Sequence, residues 1–129
     1  MSEHERSLNA EPTPRVTLEQ LGPGILRIDL QPQSHITKTD AELASAWVLA
    51  LAESRPACVL LDLTGVGSVS KEAVKFYSKA SRVAAFALLG RTAVDKVIAH
   101  SLRGLAWPSC PVRYFVDEVE AMAWLEGHC

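Results

Sequence analysis

Aromatic side chains are scarce in this chain: three Trp, two Tyr and three Phe, or 6% of 129 residues. Proteins that stack nucleic-acid bases need several rings on one surface. An excess of positive charge is missing as well. Thirteen Lys and Arg stand against fifteen Asp and Glu, a net charge of −2. That balance offers no attractive field to a polyanion, so no nucleic-acid partner is expected. Cysteine is equally sparse. Cys58, Cys110 and Cys129 are an odd number with no close pair, and neither Cys-x-x-Cys nor His-x-x-x-His occurs. Free thiols in a reducing cytoplasm are therefore expected, and no zinc site. No apolar run approaches the roughly 20 residues that span a bilayer, so no membrane span is expected. The opening "MSEHERSLNAEPTPR" is polar and acidic, without the apolar stretch of a signal peptide. Residues 1–14 are expected to form a flexible arm and residues 15–129 one domain, long enough to bury a core.

The motifs of common chemistry are missing too. There is no Gly-x-Ser-x-Gly elbow. His100 and Ser101 are adjacent in a predicted helix and point in different directions, and Asp62 near a strand end reads as a turn acceptor. Gly65-Val66-Gly67 lacks the Gly-Lys-Ser/Thr of a Walker loop. Ser70 stands where a dinucleotide fingerprint needs its third glycine. No catalytic, metal-binding or cofactor-binding residue is expected, so the chain reads as a non-enzyme without cofactors.

What remains is a regular alternation of strands and capped helices. "VTLEQL" (16–21) and "ILRIDL" (25–30) flank Gly22-Pro23-Gly24 as a hairpin, with Leu26, Ile28 and Leu30 on one face. A helix is predicted over 39–54, opened by a Thr39/Glu42 capping box, with Leu43, Trp47, Val48 and Leu51 inward and Pro56 closing it. "ACVLLDL" (57–63) is apolar on both faces, as a central parallel strand should be. A second helix over 71–82 carries Ala73, Val74, Phe76, Tyr77 and Ala80. "AAFALLG" (84–90) is another buried strand. Thr92 and Asp95 open a helix over 93–105 with Val94, Val97, Ile98, Leu102 and Leu105 inward. After a loop at 106–111 and a strand at 112–116, Asp117 and Glu120 cap a last helix carrying Val119, Met122, Ala123 and Leu125. The expected parallel strands are 57–63, 84–89 and 112–116 in one sheet.

"ILRIDL" with its capped helix, "VLLDLTGVGSVS", "AAFALLGRTAVDKVIAHSLRGL" and the finish "PVRYFVDEVEAMAWL" together resemble the STAS-like, or SpoIIAA-like, fold of anti-sigma-factor antagonists. The chain looks closest to a bacterial family of uncharacterised STAS/SEC14-type proteins, and the resemblance covers residues 16–126. It implies a single α/β domain with a mainly parallel sheet, an N-terminal β-hairpin and four helices. The antagonists carry Asp-Ser-Ser-Gly at the start of the helix after this strand, and the second Ser accepts phosphate from a partner kinase. Aligned through Asp62-Leu63, those four positions are Ser70, Lys71, Glu72 and Ala73. The acceptor position holds Glu72, which cannot take phosphate as Ser does.

The resemblance and the residues together imply a cytoplasmic interaction or regulatory module. Its candidate surface is Ser68, Ser70, Glu72, Lys75, Lys79, Arg91 and Trp107, facing a protein partner or a second copy. Ser70 also reads as an N-cap, Glu72 as a charge suited to the helix dipole, and Lys75, Lys79 and Arg82 as a solvated stripe. Turns after parallel strands gather at one end of a sheet, so loops 64–70 and 90–92 should be neighbours. Trp47 and Trp124 are expected at the core, and Trp107 beside Pro108 at the surface. The rival reading is a SEC14-like binder of a small apolar ligand or lipid, with a pocket lined by Phe76, Phe86, Trp107 and Phe115.

Overall fold

The computed structural model describes residues 15–52, 55–78, 82–104 and 110–129, with only the backbone of residues 76–78 and 103–104. Residues 1–14, Lys79, Ala80, Leu105, Trp107 and Pro108 lie outside the described residues, as do the side chains of Phe76 and Tyr77.

β1 (Val16–Gly22) and β2 (Ile25–Leu30) form an antiparallel hairpin. β2 then pairs in parallel with β4 (Ala57–Asp62), β4 with β6 (Val83–Leu89), and β6 with β7 (Val112–Phe115). The sheet order is β1-β2-β4-β6-β7, so the three parallel strands expected from the apolar runs share one sheet. Two short strands that the sequence pattern did not reveal, β3 (His35–Ile36) and β5 (Ser68–Val69), pair in parallel beside it. The helices are α1 (Lys38–Leu51), α2 (Lys71–Ser78), α3 (Ala93–Gly104) and α4 (Glu118–Glu126).

Strand alternation divides the core in two. Leu26, Ile28, Val59, Leu61, Phe86 and Leu88 point to the side of α1, α2 and α3. Ile25, Cys58, Leu60, Ala87, Leu89 and Phe115 point to the other side, which α4 covers with Ala121 and Leu125. Each fully buried leucine adds roughly 1.5–3 kcal/mol of transfer free energy, so both layers matter.

Several helix faces differ from expectation, and the reason is common to them. In α1 the inward residues are Asp40, Ala41, Ala44 and Val48, while Leu43 and Trp47 are each 60% exposed. Val48 is buried and Leu51 packs on the core as expected, but the stripe has turned by about 50°, half a residue step, towards Ala41 and Ala44. Ala41, Ala44 and Ala73 are completely buried, and small residues let backbones approach closely. In α3 the inward positions are Asp95, Ala99 and Leu102, leaving Val94 and Val97 exposed. In α4 Val119 and Ala123 face solvent, and Trp124 is half-buried. Size and hydrophobicity alone favoured the larger residues, whereas close packing selected the alanines.

The opening of α1 is also displaced. Thr37, not Thr39, is the N-cap, and Asp40, not Glu42, completes the box. The Thr37 amide donates to Asp40 Oδ2 at 2.8 Å, and Arg15 Nε donates to the same oxygen at 3.0 Å. Burial alone would raise the Asp40 pKa, but Arg15 and Thr37 hold it below the usual carboxylate value. Both boxes fit the sequence, and the ion pair from Arg15, just before β1, favours the earlier one.

The cysteine reading needs correction. Cys58, buried on β4, is paired as a disulfide with Cys129 across 71 residues of sequence, with Cα atoms 6.4 Å apart. That spacing is within the normal disulfide range. Distance along the chain concealed the pair, because α4 returns its end to the centre of the sheet. Cys110 is the free thiol, and burial pushes its pKa up.

Candidate functional site

The β4–α2 connection begins where Asp62 ends its strand. Asp62 Oδ1 accepts from the Thr64 amide at 3.0 Å and from the Thr64 hydroxyl at 2.6 Å, which starts the turn. Asp62 Oδ2 accepts from Arg27 at 2.7 Å. Arg27 also pairs with Asp29 at 2.8 Å and Glu118 at 2.9 Å. Burial opposes its charge, yet these carboxylates raise its pKa further above the ordinary arginine value. Arg27 therefore joins β2, β4 and the start of α4 in one polar network.

Gly65 follows with φ +75°, a left-handed conformation that side chains resist. Gly67 has no positive φ. It is required by a close approach, because a Cβ there would stand 2.9 Å from the Ser34 carbonyl. The Gly65 amide donates to Asp95 Oδ1 at 2.9 Å. Asp95 Oδ2 accepts from the Arg91 and Thr92 amides at 2.8 and 3.0 Å. Thr92 Oγ1 accepts in return from the Asp95 amide at 3.1 Å, completing the predicted capping box. One carboxylate, only 1% exposed, thus ties loop 64–70 to loop 90–92, and the two are neighbours as expected. Burial works to raise the Asp95 pKa, but the Arg91, Gly65 and Thr92 bonds win and lower it.

The remaining loop amides are similarly engaged. Val66 donates to Leu63, Gly67 and Ser68 to Ser34, and Ser70 to Ile36. A phosphate cradle needs converging amides that lack internal partners. Those of Gly65, Val66, Gly67, Ser68 and Ser70 already have them.

Ser70 Oγ accepts from the Ala73 amide at 3.0 Å, so Ser70 is the N-cap of α2. Ser70→Ala should lower stability by about 1 kcal/mol, whereas Ser70→Asp should match wild type because Asp caps and suits the dipole. Thermal melts check both, and ATP, GTP or phosphate should shift neither. Equal melting of wild type and Ser70→Ala would overturn the capping role.

Ser68, Glu72, Lys75 and Arg91 are exposed, and Ser70 is half-buried. Ser68 Oγ lies 2.8 Å from His35 Nδ1. These five candidates lie on the β4–α2 connection, the start of α2 and the β6–α3 connection, while Lys79 and Trp107 lie outside the described residues. Among the described residues the expected aromatic pocket is not assembled, the Phe76 side chain and Trp107 lying outside them. Phe86 and Phe115 point to opposite sides of the sheet, because Phe115 is level with Leu89, three residues beyond Phe86. A different groove, of about 240 Å³, opens between β1 and α1 and is lined by Leu18, Leu26, Trp47 and Leu51 among others. Sequence reasoning missed this groove and the Arg27 network. Exposed Trp47 read as core, and Arg27 lay inside an apolar strand pattern.

A family model described as a domain of unknown function, DUF7793, matches residues 20–129. No curated protein matches the chain. Among solved structures, the chain is similar to an uncharacterised protein of the DUF3478 family with a SpoIIAA-like fold from Shewanella loihica PV-4. The TM-score is 0.60 at 18% identity, over 85% of this chain and 91% of that one. This supports the fold. A protein of unknown function from Arthrobacter sp. FB24 matches at 28% identity and a TM-score of 0.32, over 85% of this chain and 98% of that one. No helix among the described residues is long and apolar enough to cross a membrane.

Proposed function

This chain belongs to the DUF7793 family, a domain of unknown function, and we propose that it is an interaction or regulatory module of STAS-like fold without chemistry of its own. The observation that carries this reading is the sealed end of the sheet. The amides of Gly65, Val66, Gly67, Ser68 and Ser70 are spent internally, and the side chains of Ser68, Glu72, Lys75 and Arg91 beside them are exposed. Such a surface suits a protein of complementary charge better than a buried substrate.

Glu72 gives the reading its regulatory content. It places a permanent negative charge where the antagonists place a removable phosphate, although one carboxylate carries about one charge and phosphate nearly two. The module would therefore be fixed in one charge state. Stoichiometric phosphate at Ser70 in phosphopeptide maps would replace this reading with a switch. A photo-cross-linking residue at position 72, in cells of the host, should capture one protein that the same residue at position 126 does not. Identical capture from both positions would overturn the proposal.

The rival apolar-ligand reading now rests on the β1–α1 groove. Its volume of about 240 Å³ is below the roughly 300–1,000 Å³ typical of ligand pockets. Native mass spectrometry of protein from its host would show a retained ligand. A cytoplasmic setting is part of our reading, and the state of the Cys58–Cys129 pair bears on it directly.

A further inference from the structure

The three cysteines occupy three different settings. Cys58 is completely buried on β4, in the layer of Leu60, Ala87 and Leu125. Cys129, bonded to it, lies beyond α4 and is exposed. Cys110 stands apart as the free thiol, packed against the other layer of the core. Since Cys58 has no exposed surface, an incoming thiol reaches the bond only at Cys129. The fold also accommodates the reduced pair. A free Cys behaves as a small apolar side chain, and the layer around Cys58 is apolar. Its Sγ is 3.9 Å from the Leu125 carbonyl, within reach of a weak S–H bond. The far end is held by bonds that do not involve sulfur. The amides of His128 and Cys129 donate to the Leu125 carbonyl at 2.8 and 3.1 Å. His128 Nδ1 donates to the Trp124 carbonyl at 2.8 Å. Opening the bond therefore leaves the two sulfurs next to each other.

We propose that Cys58–Cys129 is a reversible thiol–disulfide switch, in which Cys129 exchanges with a small external thiol of the glutathione class and Cys58 is the buried resolving thiol. Closed, the pair ties α4 to the centre of the sheet; open or capped, it leaves α4 to its own packing. To open it, an external thiolate attacks Cys129 Sγ. A new S–S bond joins the two, and the Cys58 sulfur leaves with the electron pair of the old bond. It takes up the proton that the attacking thiol released. A second external thiol then displaces the first from Cys129. The two external thiols give up two electrons and two protons and become a disulfide, and the protein gains them as two thiols. Closing runs in reverse from an external disulfide. The Cys129 thiolate attacks it first, and Cys58, deprotonated in turn, attacks Cys129 Sγ and expels the external thiolate. Burial disfavours a thiolate, so this last step is the slow one. The mixed disulfide on Cys129 therefore accumulates on the way to the closed pair. Burial also raises the Cys110 pKa, which keeps that thiol out of the exchange. Cys58 is near the start of β4, whereas loop 64–70 follows its end. The switch is thus separate from Ser68, Glu72 and Arg91, and its failure and that of the proposed function are distinguishable.

The whole chain, reduced, freed of reductant and given oxidised glutathione, should be sampled by acid quench and peptide mass mapping. Wild type should carry glutathione on Cys129 first and the Cys58–Cys129 pair later. Cys58→Ala keeps a small apolar side chain in the layer and should hold the glutathione on Cys129 without going further. Cys129→Ser should take up glutathione about tenfold more slowly than wild type, and urea should abolish that protection. Circular dichroism should show both variants folded. Excess reduced glutathione should reopen the wild-type pair. Glutathione on Cys58 of the folded wild type, or equal uptake by Cys129→Ser, overturns the assignment of Cys129. A pair that stays closed in excess reduced glutathione is a permanent tether, and overturns the switch.

Discussion

Replacing Asp95 with Ala should destabilise the fold by about 4 kcal/mol, measured as a drop in the urea midpoint. The carboxylate accepts from three amides, those of Gly65, Arg91 and Thr92, and is almost wholly buried. Removing an acceptor from a buried donor costs about 1–3 kcal/mol each time, less where water can enter. Asp95→Asn should recover little of this. If the amide oxygen stays with Arg91 and Thr92, its NH₂ group meets the Gly65 N–H, donor against donor. The same bonds give a pH signature. The folded pKa of Asp95 is lowered, so its contribution is complete above the unfolded value of about 3.9 and fades as pH falls through the folded value. Acid titration of stability should lose that part of its slope in Asp95→Ala. An Ala variant within 1 kcal/mol of wild type, a margin of about one unpaired amide, would overturn the tie between the loops.

Asp95 also shows what could be read from the chain beforehand. Its place in a Thr92 capping box was legible, because that pattern is local. Its bond to Gly65, thirty residues earlier, was not, since nothing in the spacing of either segment records it. The same division runs through the fold. The apolar runs at β4 and β6 are short, continuous and bounded by turns, and with the segment at β7 they announced parallel strands. The orientation of α1 depended on which residues could approach the sheet and α2 most closely, a property of the packed pair. Arg27 could not be assigned, because its three carboxylates come from β2, β4 and α4.

Breaking the Cys58–Cys129 pair should cost the protein about 4 kcal/mol by the chain-entropy relation for a loop of this length. The pair joins the central strand β4 to the segment beyond α4, 71 residues later, so it restrains the unfolded chain strongly. Cys129→Ser is the informative variant, because Cys129 is exposed and Cys58 is fully buried, where a hydroxyl would lack partners. The urea midpoint of Cys129→Ser should fall to that of wild type treated with a dithiol reductant, which supplies the two electrons and two protons that open the bond. Reductant should leave Cys129→Ser itself unchanged. The effect should concentrate in α4, the helix that covers Leu60, Ala87 and Leu89. Its amides should exchange faster once the tether is cut, while those of α1 should not. Alkylation in denaturant should label Cys110 alone before reduction and all three cysteines after it. Cytosolic glutathione and thioredoxin keep thiols reduced, so protein trapped in its host with three alkylated thiols would fit a cytoplasmic module. Three labelled cysteines in air-oxidised purified protein would instead overturn the pairing, and α4 would then be held by Ala121, Leu125 and the Arg27–Glu118 contact without a covalent tether.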